Sequence, residues 1–296
     1  MKKHDFLSLT DLSLTEARSI LDLARRMKSG QGDLPRFAGQ SAAIVMEKAS
    51  TRTRVSFEVG AAELGMYPVV LTTQGSQLAR GEPIADTARV LSRYVDIIVF
   101  RTSGRDRLDQ MAQSASVPVI NALSDDGHPV QVLCDVFTIE EQLGKPIGEL
   151  RVSWIGDGGS NMARSFIEAS SLFGFELCIG GPAAYFAKER GGARFTTDAR
   201  EACTNADVIC TDVWTSMGQE AENEKRIRDF DGWTVNAAML ERAKPTAIVL
   251  HCLPAHRGEE IDDETLEGPR SRVWDQVENR LHVQKALMAF LLRSST

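Results

Sequence analysis

Residues 42–59 read Ala42-Ala43-Ile44-Val45-Met46-Glu47-Lys48-Ala49-Ser50-Thr51-Arg52-Thr53-Arg54-Val55-Ser56-Phe57-Glu58-Val59. An apolar run of strand length gives way to a polar segment, and Val55, Phe57 and Val59 then lead into a helix. Open parallel sheets bind ligands beyond the carboxyl ends of their strands, so the polar segment stands where a ligand is expected. Unsatisfied N–H groups at the helix start, the hydroxyls of Ser50, Thr51 and Thr53, and the guanidiniums of Arg52 and Arg54 are together suited to phosphate. The same residues also fit an N-cap followed by two solvated arginines. The Walker pattern of a nucleotide-binding loop is absent.

Outward from this stretch the chain alternates. Before it, Ser13 and Glu16 form a capping-box pattern, Leu14, Ala17, Ile20, Leu21, Ala24 and Met27 recur at helical spacing, and Gly30 ends the helix. After it, apolar runs at Tyr67 to Leu71, Ile97 to Phe100 and Val117 to Ile120 are separated by helical patterns, as in a parallel sheet with crossover helices. A helix from about Pro129 to Leu143 closes this set, and Gly144-Lys145-Pro146-Ile147-Gly148 punctuates the chain. A second set follows, with runs at Val152 to Ile155, Phe175 to Ile179, Asp207 to Cys210 and Ala247 to Leu250. The expected fold is therefore α/β: two similar domains, 1–145 and 146–275, each a parallel sheet flanked by helices. No strand follows the last helix, about Val277 to Leu292, so residues 276–296 are free to return to the first domain.

Composition narrows the function classes. A net charge of -7 without a sustained basic run argues against a nucleic-acid binder. No stretch approaches the roughly 20 apolar residues of a membrane span, and the start lacks a signal-peptide core, so a cytoplasmic protein is expected. Five scattered cysteines without C-x-x-C suggest neither disulfides nor a zinc knuckle. Cys134, Cys178, Cys203 and Cys210 read as buried packing residues; Cys252 lies in a motif.

Further polar residues follow successive strands. Arg101-Thr102 ends the third run, and Asn121 and His128-Pro129-Val130-Gln131 follow the fourth. An arginine, a neutral histidine and a threonine hydroxyl are donors suited to a carbonyl oxygen that becomes an oxyanion on attack. Singly, each also fits a surface arginine or a helix-capping histidine.

The Ser50-Thr51-Arg52-Thr53-Arg54 loop, the His128-Pro129-Val130-Gln131 motif and the arginine between them resemble the carbamoyl-phosphate domain of the aspartate/ornithine carbamoyltransferase family, and the resemblance runs over almost the whole chain. It implies that Ser50, Thr51, Arg52, Thr53, Arg101, His128, Pro129, Val130, Gln131 and Arg280 hold carbamoyl phosphate. It also implies that the segment Gly75 to Pro83 reaches a neighbouring subunit, with Gln77 donated in trans, in a homotrimer or an assembly of trimers. Three segments of the second domain resemble the ornithine branch: Asp212-Val213-Trp214-Thr215-Ser216-Met217-Gly218, Gly156-Asp157-Gly158-Gly159-Ser160-Asn161, and His251-Cys252-Leu253-Pro254-Ala255-His256-Arg257-Gly258. They imply that Asp212, Ser216, Met217 and Asn161 bind ornithine. Cys252 would lie near the reacting amine, with the Cys252 and Leu253 carbonyls on the carbamoyl nitrogen. The turn before Asn161 is a residue longer than the family's glycine and two asparagines.

The implied chemistry is cofactor-free attack of a neutral δ-amine on the carbamoyl carbon, giving citrulline and phosphate within arginine metabolism. Arg101, His128, Asp212 and Cys252 would carry the catalysis, and domain closure would exclude water. Aspartate, as the alternative acceptor, would call for cations where the Asp212 motif supplies an anion. An N-acylated ornithine would lack the α-ammonium that Asp212 should meet, and putrescine has no carboxylate for Asn161. As a metal site, His251, Cys252 and His256 lack a further ligand of matching spacing. As a dinucleotide fingerprint, Gly156-Asp157-Gly158 lacks the third glycine and the acidic residue after the next strand. A non-enzymatic module that had kept an anion site would be expected to have lost catalytic positions, and here each is occupied.

Overall fold

The structure, a computed structural model, describes residues 3–31, 34–72, 77–215 and 220–294. It divides into two compact units, Met1–Cys134 with Glu278–Thr296, and Asp135–Val277. The sequence places the divide at Gly144 to Gly148, where the helix ends; the division into compact units falls inside that helix, between Cys134 and Asp135.

In the first unit α1 (Leu14–Ser29) starts on the anticipated capping box of Ser13 and Glu16 and ends at Gly30, φ +66°, a left-handed cap that glycine adopts without penalty. The strands are β1 (Ser41–Met46), β2 (Tyr67–Thr72), β3 (Ile97–Arg101) and β4 (Val119–Leu123), connected through α2 (Thr51–Glu63), α3 (Ile84–Leu91) and α4 (Arg105–Ser114). Among the described residues they form a parallel sheet of order β2-β1-β3-β4. β3 is buried throughout and β1 nearly so, as expected of strands covered on both faces, whereas the edge strand β2 is only half-buried. Phe6 bridges to Ile120 beside β4. α5 (Pro129–Leu143) begins in this unit.

The second unit repeats the plan with β5 (Arg151–Ile155), β6 (Glu176–Gly180), β7 (Arg194–Thr196), β8 (Val208–Thr211) and β9 (Ile248–His251). These are parallel in the order β7-β6-β5-β8-β9. α6 (Asn161–Phe173) follows β5, α7 (Ala199–Cys203) follows β7, and α8 (Asn223–Asp229), α9 (Ala237–Leu240) and α10 (Asp263–Leu266) are short helices. β7 is not among the apolar runs of the sequence; it has three residues and one apolar side chain, too little for a periodic signal.

The last helix, α11 (Val273–Ser294), begins four residues before the anticipated Val277. Its portion from Glu278 onward belongs to the first unit, as expected. There Lys285 pairs with Glu63 on α2, Asn279 accepts a 2.8 Å hydrogen bond from Lys28 on α1, and Lys285, Met288 and Leu281 close over Gly60.

Glycine is required where β6 ends: a Cβ on Gly181 would lie 2.2 Å from the Gly156 carbonyl oxygen, which is backbone and has little room to move. Gly181→Ala should cost about 1–3 kcal/mol by overpacking, whereas Gly192→Ala, whose Cβ meets nothing within 4 Å, should be near neutral. Thermal unfolding of the two variants checks this, and equal melting temperatures would refute it.

Candidate active site

Each strand order reverses once. β1 and β3 are neighbours whose chains leave in opposite directions along the sheet, and so are β5 and β8, which makes these pairs the switch points where ligands bind in open α/β sheets. Four of the segments singled out in the sequence leave these strands: Glu47 to Arg54 follows β1, Arg101 ends β3, Gly156 to Asn161 follows β5, and Asp212 follows β8, while His128 to Gln131 follows β4 and His251 to Gly258 starts at the end of β9.

At the first switch point Ser50 N-caps α2 by accepting from the Thr53 N–H at 3.2 Å. The cap fixes the turn so that Thr53 is buried, while Thr51 faces solvent and Arg52 is half-buried. Thr53 Oγ1 accepts from Arg101 Nη1 at 3.3 Å and from Arg280 Nη2 at 2.8 Å, and Arg280 Nη1 donates to Gln131 Oε1 at 2.7 Å. Two buried guanidiniums thus share one neutral hydroxyl. His128 precedes Pro129 and Val130, which open α5 and are buried with it. Burial, and then the charges of Arg280, Arg101 and Arg52, hold the His128 imidazole well below its ordinary pKa, so it is neutral at physiological pH. Glu47 lies at the same strand end and binds Arg107 and the Thr102 hydroxyl. Gln77 opens a single-turn helix, Gln77–Arg80, and is exposed.

In the second unit Asp212, His251 and Cys252 bring their polar atoms within 4.8 Å of one another. Burial raises the Asp212 carboxyl pKa, offset in part by His251, the Cys252 thiol and the Val213 N–H, which donates to Asp212 Oδ1 at 2.9 Å. Leu253 N–H donates to His251 Nδ1 at 2.8 Å, which leaves Nε2 to carry the ring proton and donate to Glu260 Oε1 at 3.0 Å. His256 belongs to a different group, with Glu259 and Glu260, so the three residues first weighed as metal ligands do not converge. Leu253, at φ +59°, turns the chain directly after Cys252, and its bond to Pro254 is cis. Cys134, Cys178, Cys203 and Cys210 are buried as expected; Cys252 is partly exposed. Burial pushes the Cys203 thiol up to about 12.

Asn161 is the first residue of α6, after the N-cap Ser160, and is half-buried. Ser216 and Met217 lie outside the described residues. Two residues of this half that the sequence did not flag are Arg226 and Glu260, 6% and 0% exposed. Both sit in charge-rich segments that read as solvated surface.

The model of the aspartate/ornithine carbamoyltransferase carbamoyl-P binding domain matches residues 4–141, and that of the Asp/Orn binding domain matches residues 148–291. The chain belongs to this family. It is 61% identical to an ornithine carbamoyltransferase of Sorangium cellulosum, over 99% of this chain and 98% of that one, and 46% identical to one from Geobacter sulfurreducens, over 97% and 99%. Among solved structures, an anabolic ornithine carbamoyltransferase from Campylobacter jejuni superposes with a TM-score of 0.92 at 36% identity, covering 99% of this chain and 100% of that one. The Pyrococcus furiosus ornithine carbamoyltransferase gives 0.90 at 43% identity, over 97% and 96%.

The depressed His128 pKa carries a sign for stability. Below about pH 6.5 the unfolded chain takes up a proton that the folded histidine refuses, so stability falls on acidification. A His128→Asn variant should lose less stability than the parent between about pH 7 and about pH 5. Denaturant midpoints at the two pH values measure this; identical losses would show that His128 is not held neutral.

Proposed function

We propose that this chain transfers the carbamoyl group of carbamoyl phosphate to the δ-amine of L-ornithine, releasing L-citrulline and phosphate. The observation that carries the donor half is the convergence of Arg101 and Arg280 on Thr53 beside a histidine kept neutral by burial and, after that, by the neighbouring positive charges. Ser50, Thr51, Arg52, Thr53 and Arg280 receive the phosphate, with Gln77 supplied by a neighbouring copy. Thr53, Arg101 and His128 donate to the carbamoyl oxygen as it gains charge, and the Pro129 to Gln131 turn seats the carbamoyl group. The Cys252 and Leu253 carbonyls accept from its nitrogen.

The acceptor half rests on Asp212. A carboxylate at the end of β8 suits an ammonium and repels the second carboxylate of aspartate. Asn161 receives the α-carboxylate of ornithine, Asp212 with Ser216 and Met217 the α-ammonium, and Cys252 lies beside the reacting amine. The δ-amine, with an ordinary pKa near 10, must shed a proton before its lone pair attacks the carbamoyl carbon; the tetrahedral intermediate then collapses with loss of phosphate. The reaction needs no cofactor and belongs to arginine metabolism; the resemblance to an enzyme named anabolic favours the synthetic direction.

We also infer a cytoplasmic homotrimer. Among the described residues no helix is long and apolar enough to cross a membrane. Val55, Val59 and Tyr67, on α2 and the edge strand β2, are 50%, 41% and 70% exposed, an apolar surface suited to a second copy. Light scattering should give three times the chain mass or a multiple of it.

Phosphate release from carbamoyl phosphate, measured in parallel with ornithine, aspartate, putrescine and N-acetylornithine, tests the reaction. Release is expected with ornithine above the others and should rise on the alkaline side of neutrality; no release with any amine would end the proposal. Arg52→Ala should weaken carbamoyl-phosphate binding by at least about tenfold, as loss of a charge-assisted contact implies. Unchanged affinity in calorimetry would remove Arg52 from its role.

A further inference from the structure

The second switch point contains a buried cation with no place in the chemistry above. Arg226, on α8, donates through Nη1 to Asp157 Oδ2 at 2.7 Å and to the Trp214 carbonyl at 2.8 Å, and through Nε to Glu222 at 3.1 Å. Its guanidinium lies 4.9 Å from the centre of the Tyr185 ring. Asp157 belongs to the turn that leaves β5, and its other oxygen accepts from the Gly159 N–H at 2.8 Å, two residues before Asn161. Trp214 belongs to the segment that leaves β8, two residues after Asp212, and stacks on Phe230 at 5.4 Å. One guanidinium therefore fastens together the two loops on either side of the switch point. The segment after β6 braces the same turn: the Ala187 N–H donates to the Gly158 carbonyl at 3.2 Å, and a Cβ on Gly159 would come 3.2 Å from the Tyr185 carbonyl oxygen.

We propose that Arg226 is a positioning residue for acceptor specificity, which through Asp157 and Trp214 sets the separation between Asn161 and Asp212 and so selects a ligand carrying an α-carboxylate and an α-ammonium at that spacing. The inference rests on the reading of those two residues as the grip on the α-amino acid. Both acceptors take the hydrogens of one nitrogen, Nη1, which the planar guanidinium fork holds in a fixed direction while Nε is tied to Glu222; a lysine ammonium on a flexible stem has no such fixed direction. A buried ion pair that served stability alone would affect folding and leave the balance between the two substrates untouched.

The test compares the parent enzyme with Arg226→Gln, Arg226→Lys and Asp157→Asn. Wild-type turnover with ornithine tests the underlying reading; the ratio of effects in the variants tests this inference. Expected in each variant is a rise of about tenfold or more in KM for ornithine, with KM for carbamoyl phosphate held within about twofold. Binding of 2-aminopentanoate, which has the α groups without the δ-amine, should weaken in calorimetry by the same factor as the ornithine KM rises. Arg226→Lys reads the effect if Arg226→Gln does not fold, since it keeps the charge and loses only the fork. A variant that melts lower while both KM values stay unchanged, or one in which both rise equally, would overturn the proposal.

Discussion

A parallel strand can reach its neighbour only through a crossover, and each sheet here reverses the direction of its crossovers once, between β1 and β3 and between β5 and β8. Only at such a reversal do two carboxyl strand ends lie side by side while their following chains diverge, leaving an open cleft lined by helix starts and unpaired loop backbone. This constraint dictates where polar residues can gather without interrupting a core. In both units part of the unusual chemistry stands at these reversals, at the ends of β1, β3, β5 and β8, and the rest follows the next strand out, β4 for His128 and β9 for Cys252.

Within the first unit the reversal concentrates positive charge. Arg101 arrives from β3, Arg280 from the last helix, and Arg52 from the first turn of α2. Arg101 and Arg280 both donate to the hydroxyl of Thr53. Burial, reinforced by the same charges, keeps His128 neutral, which leaves it a hydrogen-bonding imidazole and not another cation. In the second unit the balance is reversed: Asp212 is a carboxylate whose burial favours its protonated form, set beside a thiol and a histidine whose tautomer is fixed by Leu253 and Glu260. A cation-accepting site and an anion-accepting site thus arise from the same topology with different side chains at the strand ends.

Much of this was legible before the fold was seen. The helix from Pro129 to Leu143 and the capping box of α1 emerged with the boundaries read from periodicity and punctuation. Strand limits shifted by one to three residues, most clearly at β4, which begins after Pro118 because proline cannot donate to a ladder. The strand β7 escaped notice because three residues carry no period. On α8 the pattern was misleading. Ile227 is 38% exposed while the adjacent Arg226 is 6% exposed, the inverse of what a hydrophobic face predicts.

The sequence by itself determined the alternating α/β plan, the doubling of the domain, the resemblance that identified the family, and the list of strand-end residues. These follow from neighbours in the chain: apolar runs, caps, glycines, and motifs whose members are a few residues apart. Tertiary structure alone decided that Thr53 is shared by Arg101 and Arg280, residues far apart in sequence, and that Arg226 and Glu260 are buried. A charged side chain can be buried only where a partner satisfies it: Arg226 is met by Asp157 and Trp214 from two other loops, and Glu260 by His251 and the His256 N–H earlier in its own stretch of chain, a pairing that only the fold of that stretch reveals. The physical reason is the cost of desolvating a charge, which is met by contacts made in the fold and leaves no trace in local periodicity. The Ser50 to Arg54 loop is likewise local in its cap and non-local in the arginines that meet Thr53.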